Sequence, residues 1–138
     1  MKYSARIGLL MSIVLSPGCA TSNWSAEAEC LTVDAALERV ASTGQVDVSV
    51  CGVLRYRSED RNLYSSEEAA AGHSRRQCIS VGEADGLNVN LESLDGTRVV
   101  LKGIARSNFC PAGTLCLGSC SDTGIFVRSV EIEPDRGL

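Results

Sequence analysis

Residues 46–57 read Val-Asp-Val-Ser-Val-Cys-Gly-Val-Leu-Arg-Tyr-Arg. Val46, Val48 and Val50 alternate with polar or small residues, which is the two-residue period of a strand with one buried face. The alternation breaks at Gly52, where a strand can bend sharply or form a bulge. The stretch therefore predicts a long first strand that changes direction at Gly52.

Shorter strand-like segments follow. A polar turn at 58–61 leads to a returning strand at 62–64, and we expect Tyr56 and Tyr64 to face each other across this hairpin. Further strands are predicted at 78–81, 98–105 and 125–132, with Gly103 as an interior glycine of the fourth strand. Residues 87–94 fit a strand or a short helical turn, and Asp95-Gly96 is a turn signal.

Two helices are predicted. Residues 32–43 have Thr32 as a plausible N-cap and Gly44 as a C-terminal stop. Ser65 and Glu68 fit a capping box for a second, short helix that would end near Gly72. The first helix places four apolar residues on one face for packing against a sheet, namely Val33, Leu37, Val40 and Ala41.

The order of these elements suggests a small barrel. One helix, three strands, a linking segment and two strands, with glycines inside the first and fourth strands, suit a closed or half-closed sheet. Over residues 46–133 this pattern resembles an OB-fold. We therefore predict a mainly β fold, a five-stranded OB-fold-like barrel with an N-terminal helix and disulfide bridges; a small β-sandwich is the alternative. The resemblance implies that the turn at 58–61 and a cysteine-rich loop at 107–123 flank a ligand face.

The N-terminus has the features of an export signal. Lys2 and Arg6 precede an apolar run at 7–15 that is too short to span a bilayer. The sequence Leu-Ser-Pro-Gly-Cys at 15–19 resembles a bacterial lipoprotein signal, although Ser16 stands where a large aliphatic residue is usual. The resemblance implies that Cys19 is lipidated and becomes the new N-terminus. Ordinary cleavage after Ala20 is the alternative.

The same resemblance implies a location. Ala20 follows the lipidation site instead of an Asp that would retain the product in the inner membrane. We therefore expect outer-membrane anchoring, facing the periplasm or the cell surface. The predicted organisation is a signal peptide at 1–18, a lipidated tether at 19–30, one domain at 31–134 and a tail at 135–138.

The charge narrows the possible partners. Without residues 1–18 the chain retains 11 basic and 17 acidic residues, a net charge of −6. Nucleic-acid binding would require clustered Lys and Arg and a high pI, so we expect no nucleic-acid partner. The expected partners are the membrane, through the lipid, and a protein of the cell envelope.

Setting Cys19 aside leaves an even set of cysteines in an exported chain, for which disulfides are the default interpretation. Six cysteines allow about 15 pairings, and the sequence does not choose among them. The alternative is a metal site formed by Cys110, Cys116 and Cys120, but these residues are spaced more widely than the Cys-x2-Cys pair usual in zinc sites. The set comprises Cys30, Cys51, Cys78, Cys110, Cys116 and Cys120.

The sequence has no recognisable catalytic motif. His73 lies in a polar loop and has no evident nucleophile, so we expect no catalytic residue, metal or cofactor. The predicted function is a lipid-anchored, non-enzymatic binding module. The alternatives are an inhibitor or immunity lipoprotein that blocks a foreign hydrolase or effector and, less favoured, a metalloprotein or enzyme. The candidate binding surface comprises Tyr56, Tyr64, Arg75, Arg76 and Phe109.

Overall fold

The computed structural model describes residues 30–116, 118 and 120–134, so Cys19, the signal segment and the tail at 135–138 lie outside the described residues. Within the described residues there are two α-helices and five strands, and a short 3-10 helix at Leu91–Leu94 precedes the fourth strand. The elements are α1 (Val33–Thr43), β1 (Gln45–Arg57), β2 (Asp60–Tyr64), α2 (Glu67–Ala71), β3 (Cys78–Glu83), β4 (Arg98–Arg106) and β5 (Gly124–Ile132).

The five strands close into a barrel in the order β1-β2-β3-β5-β4. β1 pairs antiparallel with both β2 and β4, and β4 pairs antiparallel with β5. β3 and β5 are parallel and join the two halves of the ring. The mainly β, five-stranded architecture with an N-terminal helix and disulfides is therefore confirmed.

β1 changes its pairing partner at the position where the sequence predicts a bend or bulge. Val53, which follows Gly52, pairs with Tyr64 of β2 and also with Arg98 of β4. A Cβ added at Gly52 would lie 2.4 Å from the carbonyl oxygen of Tyr64. A glycine is needed here because the backbone of β2 approaches too closely for any side chain.

Gly103 has the corresponding role in β4. The β4–β5 register shifts between Lys102 and Gly103, as at a β-bulge. A Cβ at Gly103 would lie 2.0 Å from the carbonyl oxygen of Phe126, so only glycine allows the two strands to pair this closely.

Helix α1 covers the barrel and follows its predicted caps. The Thr32 side chain accepts a hydrogen bond from the N–H of Ala35 at 3.2 Å, and Gly44 ends the helix with φ 79°. Val33 and Val40 are buried as expected. The prediction for Ala41 is wrong, because it is exposed and lies about 100° around the helix from Val40. The alanine on the buried face is Ala36.

The β1–β2 hairpin differs from its prediction. β2 begins at Asp60, and Tyr56 pairs with Arg61 instead of facing Tyr64. The expected Tyr56–Tyr64 cross-strand pair is therefore wrong. The turn occupies only Ser58 and Glu59, so the register places Tyr64 opposite Val53, where β1 changes its pairing partner.

The second helix also begins later than predicted. Ser66, not Ser65, is the N-cap, and its hydroxyl accepts from the N–H of Ala69 at 3.0 Å. Residues 91–94 within the ambiguous segment form the 3-10 helix, and Leu91 is fully buried in the main core.

Candidate functional site

All six cysteines of the described residues form disulfides: Cys30–Cys51, Cys78–Cys120 and Cys110–Cys116, with Cα–Cα distances of 5.4, 5.7 and 5.9 Å. The disulfide interpretation is confirmed. The second bridge ties the start of β3 to the end of the loop at 107–123, and the third closes a small ring inside that loop. Both bridges order a segment that has few apolar side chains to bury and therefore little other stabilisation.

Phe109 anchors the first part of the loop. Its ring lies 3.1 Å from where a Cβ of Gly82 would be, and the corresponding distance at Gly124 is 2.0 Å. Its backbone N–H donates to the carbonyl of Asp122 at 2.7 Å. Two glycines on the parallel β3–β5 pair therefore provide the space into which Phe109 packs.

A second aromatic ring extends this packing. The ring centroids of Phe109 and Phe126 are 5.1 Å apart, and the guanidinium of Arg106 lies 4.4 Å from the Phe126 centroid. Aromatic and cation–π contacts of this kind each contribute about 0.5–1.5 kcal/mol. The stack fixes where the loop leaves β4.

The loop also contacts the β1–β2 turn. A Cβ at Gly118 would lie 1.8 Å from the carbonyl oxygen of Glu59, so the two backbones touch. The Asn62 side-chain amide donates to the carbonyl of Gly118 at 2.8 Å. The two segments that the OB-fold resemblance assigns to a ligand face are thus in direct contact.

A cavity of about 380 Å³ opens beside this contact. Its wall combines aromatic, charged and small groups from β1, β2, β3, the turn and the loop. We name it the loop cavity; it is lined by Tyr56, Ser58, Glu59, Arg61, Ser80, Val81, Gly82, Glu83, Phe109, Cys116 and Gly118.

Tyr56 is fixed within the loop cavity by two contacts. Its hydroxyl donates to Oε1 of Glu83 at 3.1 Å, and the guanidinium of Arg61 lies 5.2 Å from its ring centroid. Burial and the adjacent Glu83 carboxylate raise the pKa of Tyr56 above its ordinary value of 10.0. Tyr56 is therefore a neutral hydroxyl in a wall that offers an aromatic ring, a carboxylate and a guanidinium to a ligand.

A smaller cavity of about 220 Å³ shares Glu59 and Gly118 with the loop cavity and is lined by a polar network. Oδ1 of Asp60 accepts from Nδ2 of Asn62 at 2.8 Å and from the hydroxyl of Tyr64 at 2.9 Å. Oδ2 of Asp60 lies 3.2 Å from Nδ1 of His73. Burial, together with the hydrogen bond to Asp60, raises the pKa of Tyr64 to about 12. The network ties β2 to the segment after α2.

No family model, curated protein or solved structure matches this chain.

No helix among the described residues is long and apolar enough to cross a membrane.

The structure distributes the predicted binding residues over two places. Tyr56 and Phe109 line the loop cavity, whereas Tyr64 and Arg75 line the smaller one. Arg76 is exposed and is not among the lining residues of either cavity. Four of the five residues therefore divide between two cavities that share Glu59 and Gly118, and Arg76 lies outside both lists of lining residues.

Several residues of the site are missed by sequence reasoning. The OB-fold resemblance implies that the turn at 58–61 flanks the ligand face, but it does not single out Glu59 or Arg61. Glu83 lies two residues beyond the predicted end of the third strand. Asp60 and Asn62 are two residues apart on β2, and both belong to the polar network of the smaller cavity. The signal available for them was the polar run at 58–62 itself, which has more charge than a two-residue turn requires.

Proposed function

We propose that this protein is a lipid-anchored, non-enzymatic binding module of the bacterial outer membrane, facing the periplasm or the cell surface. The contact surface is formed by the loop cavity and the loop at 107–123. The observation that carries the proposal is the direct contact of that loop with the β1–β2 turn, with the loop cavity between them.

Three lines of reasoning support the location. The sequence around Cys19 resembles a lipoprotein signal. Three disulfides in a small domain are typical of an oxidising compartment. A net charge of −6 without residues 1–18 does not favour adhesion to anionic lipid by charge, so the lipid itself is the expected anchor.

The path of the chain supports separate membrane and contact sides. Cys30, where the tether ends, and Pro134 line a common groove with Ile132. β5 runs from Gly124, beside Phe109, to Ile132, and nine strand residues span about 30 Å. The tether therefore joins the domain far from the loop cavity.

Two substitutions test the anchor. Cys19→Ser should abolish palmitate labelling and release the protein from the membrane fraction, because the acyl chains have no other attachment. Ala20→Asp should move the labelled protein from the outer to the inner membrane, with Ala20→Ser as the matched control. Palmitate labelling that persists in Cys19→Ser would exclude the anchor.

Photo-crosslinking tests the contact surface. A photoreactive amino acid at Glu59, which lines the loop cavity, should give a discrete adduct in intact cells. The same amino acid at Asp47 is the control, because its side chain is 80% exposed on the outer face of β1. Equal labelling at the two positions, or none at Glu59, would contradict a binding role for this surface.

A second candidate is an inhibitor or immunity lipoprotein that blocks a foreign hydrolase or effector. The bridged loop favours it, because a loop held by disulfides can offer a preorganised surface to a partner's cleft. Protection of cells against an added hydrolase, lost on deletion of the protein, is the measurement that separates this candidate from a module without inhibitory action.

A further inference from the structure

The loop at 107–121 has an unusual composition. Charged residues make up 22% of the chain, yet none occurs among these fifteen residues, which are bounded by Arg106 and Asp122. Surface loops that face only water are usually polar, and the cores of protein interfaces are depleted of charge. The absence of charge is therefore the first sign of a surface that becomes buried.

Leu115 is the most exposed large apolar residue among the described residues. Its exposed fraction is 82%, against 63% for Ile132 and 38% for Val89. A single exposed leucine is common on protein surfaces. Leu115, however, lies in the ring closed by Cys110 and Cys116, directly beside the loop cavity.

The loop is held in shape before any partner arrives. The Cys110–Cys116 disulfide closes the ring, and the N–H of Thr114 donates to the carbonyl of Pro111 at 3.0 Å within it. Phe109 and the Cys78–Cys120 bridge fix the two ends of the loop. A preorganised loop loses little conformational entropy on binding.

Charged groups form a rim on one side of this uncharged ring. Glu59, Arg61 and Glu83 line the loop cavity next to Cys116. An uncharged centre with a charged, solvated rim is the usual arrangement of a protein–protein interface, whereas binding to anionic lipid would need a basic rim.

We infer that the Cys110–Cys116 ring is a protein-docking element and that Leu115 is its anchor, which enters an apolar pocket on a different, folded envelope protein. This inference rests on the proposed binding function and adds the class of partner and the residue that holds it. The rim carries both signs of charge, so it orients the partner while Leu115 provides the buried contact.

The test begins in intact cells with the full-length protein. A photoreactive amino acid at Leu115 should give an adduct with the same protein that Glu59 captures, and the control at Asp47 should not. Affinity for that purified protein is then measured for two variants. Leu115→Ser should weaken binding roughly 30-fold, the loss expected at an interface hot spot. Ile132→Ser removes an exposed apolar side chain at the other end of β5 and should change the affinity less than about twofold.

Each other outcome has a defined meaning. An adduct at Glu59 without one at Leu115, or unchanged affinity of Leu115→Ser, overturns the inference and leaves the proposed function intact. Adducts of Leu115 with lipid, or with a second copy of this chain, also overturn it. No adduct at either position overturns both. Intact mass is measured for every variant. Three disulfides in each show that weaker binding does not result from a loop that has lost its bridges.

Discussion

The ring of Phe109 occupies the space that a side chain on Gly124 would need. A Cβ at residue 124 would lie 2.0 Å from Cδ2 of Phe109 and 2.3 Å from Cγ. Because Phe109 lies near the start of the cysteine-rich loop at 107–123 and also lines the loop cavity, this contact couples the first residue of β5 to the shape of the candidate site.

Gly124→Ala should therefore displace Phe109 and destabilise the domain. Overpacking of this kind costs about 1–3 kcal/mol, which thermal unfolding would report as a fall of several degrees in Tm. The control is Gly72→Ala, where the nearest contact would be 3.4 Å and φ is −85°. If Gly124→Ala unfolds at the same temperature as the control, Phe109 does not pack as described.

The disulfides should differ in their contributions to stability. Cys78 and Cys120 are 42 positions apart in the sequence, and their bridge lies in a buried cluster with Val53 and Tyr64. Cys110 and Cys116 are only 6 positions apart, so their bridge closes a much shorter loop. Replacing both members of the first pair with Ala should lower the free energy of unfolding by about 3–5 kcal/mol, and replacing the second pair should cost less. Urea unfolding compares them, and the opposite order would contradict the prediction.

Asp95 should make the domain sensitive to acid. Its carboxylate accepts from the N–H of Tyr56 at 2.9 Å and from Arg57, and its side chain is 8% exposed. Burial acts to raise the pKa of Asp95, but the two hydrogen bonds and the charge of Arg57 outweigh it, so the pKa lies below the ordinary 3.8. The unfolded chain thus binds the proton more readily, and this stabilisation is complete above about pH 4 and is lost as the pH falls through the folded-state pKa.

Asp95→Asn should accordingly reduce stability by about 1–2 kcal/mol at pH 7 and by progressively less below pH 4. Asp47→Asn is the control, because its ion pair with Arg128 is exposed and should contribute little. Urea unfolding between pH 2 and pH 7 measures both. A deficit of Asp95→Asn that is constant with pH would show that the carboxylate charge is not the cause.

The hydroxyl of Tyr64 should ionise at a higher pH than that of an ordinary tyrosine. The pKa of Tyr64 is raised to about 12 from 10.0 by burial, with a further contribution from the hydrogen bond to Asp60. The protonated hydroxyl is favoured in the folded state, so its contribution is complete below pH 10 and is lost as the pH rises towards 12. The difference in phenolate absorbance between wild type and Tyr64→Phe should have its midpoint near pH 12. A midpoint near pH 10 would show that the Tyr64 hydroxyl is exposed to solvent and not buried.

Local patterns in the sequence predicted most of the fold. The valine alternation and Gly52 indicated β1 and the position where it changes its pairing partner, and Thr32 and Gly44 indicated the limits of α1. These features depend on near neighbours and on backbone geometry, which the sequence states directly. The second helix shows the limit of this approach, because Ser65 has the capping-box partner Glu68 and Ser66 has none, yet Ser66 is the N-cap.

The candidate site was less predictable because it depends on register and on distant contacts. A two-residue turn instead of four moved Tyr64 away from Tyr56. Asp95 was interpreted only as a turn residue, yet it binds the backbone of Tyr56, 39 positions earlier. No local signal specifies such a partner.

The disulfide pattern has a consequence for how the chain matures. Cys30 and Cys51 are consecutive cysteines, but Cys78 pairs with Cys120 across the intervening Cys110–Cys116 ring. A chain oxidised in the order in which its cysteines emerge would first join Cys78 to Cys110. The native pattern then requires thiol–disulfide exchange, which proceeds through a mixed disulfide with an attacking thiolate. A chain oxidised strictly in that order would therefore need a disulfide isomerase as well as an oxidase to reach the native pairing.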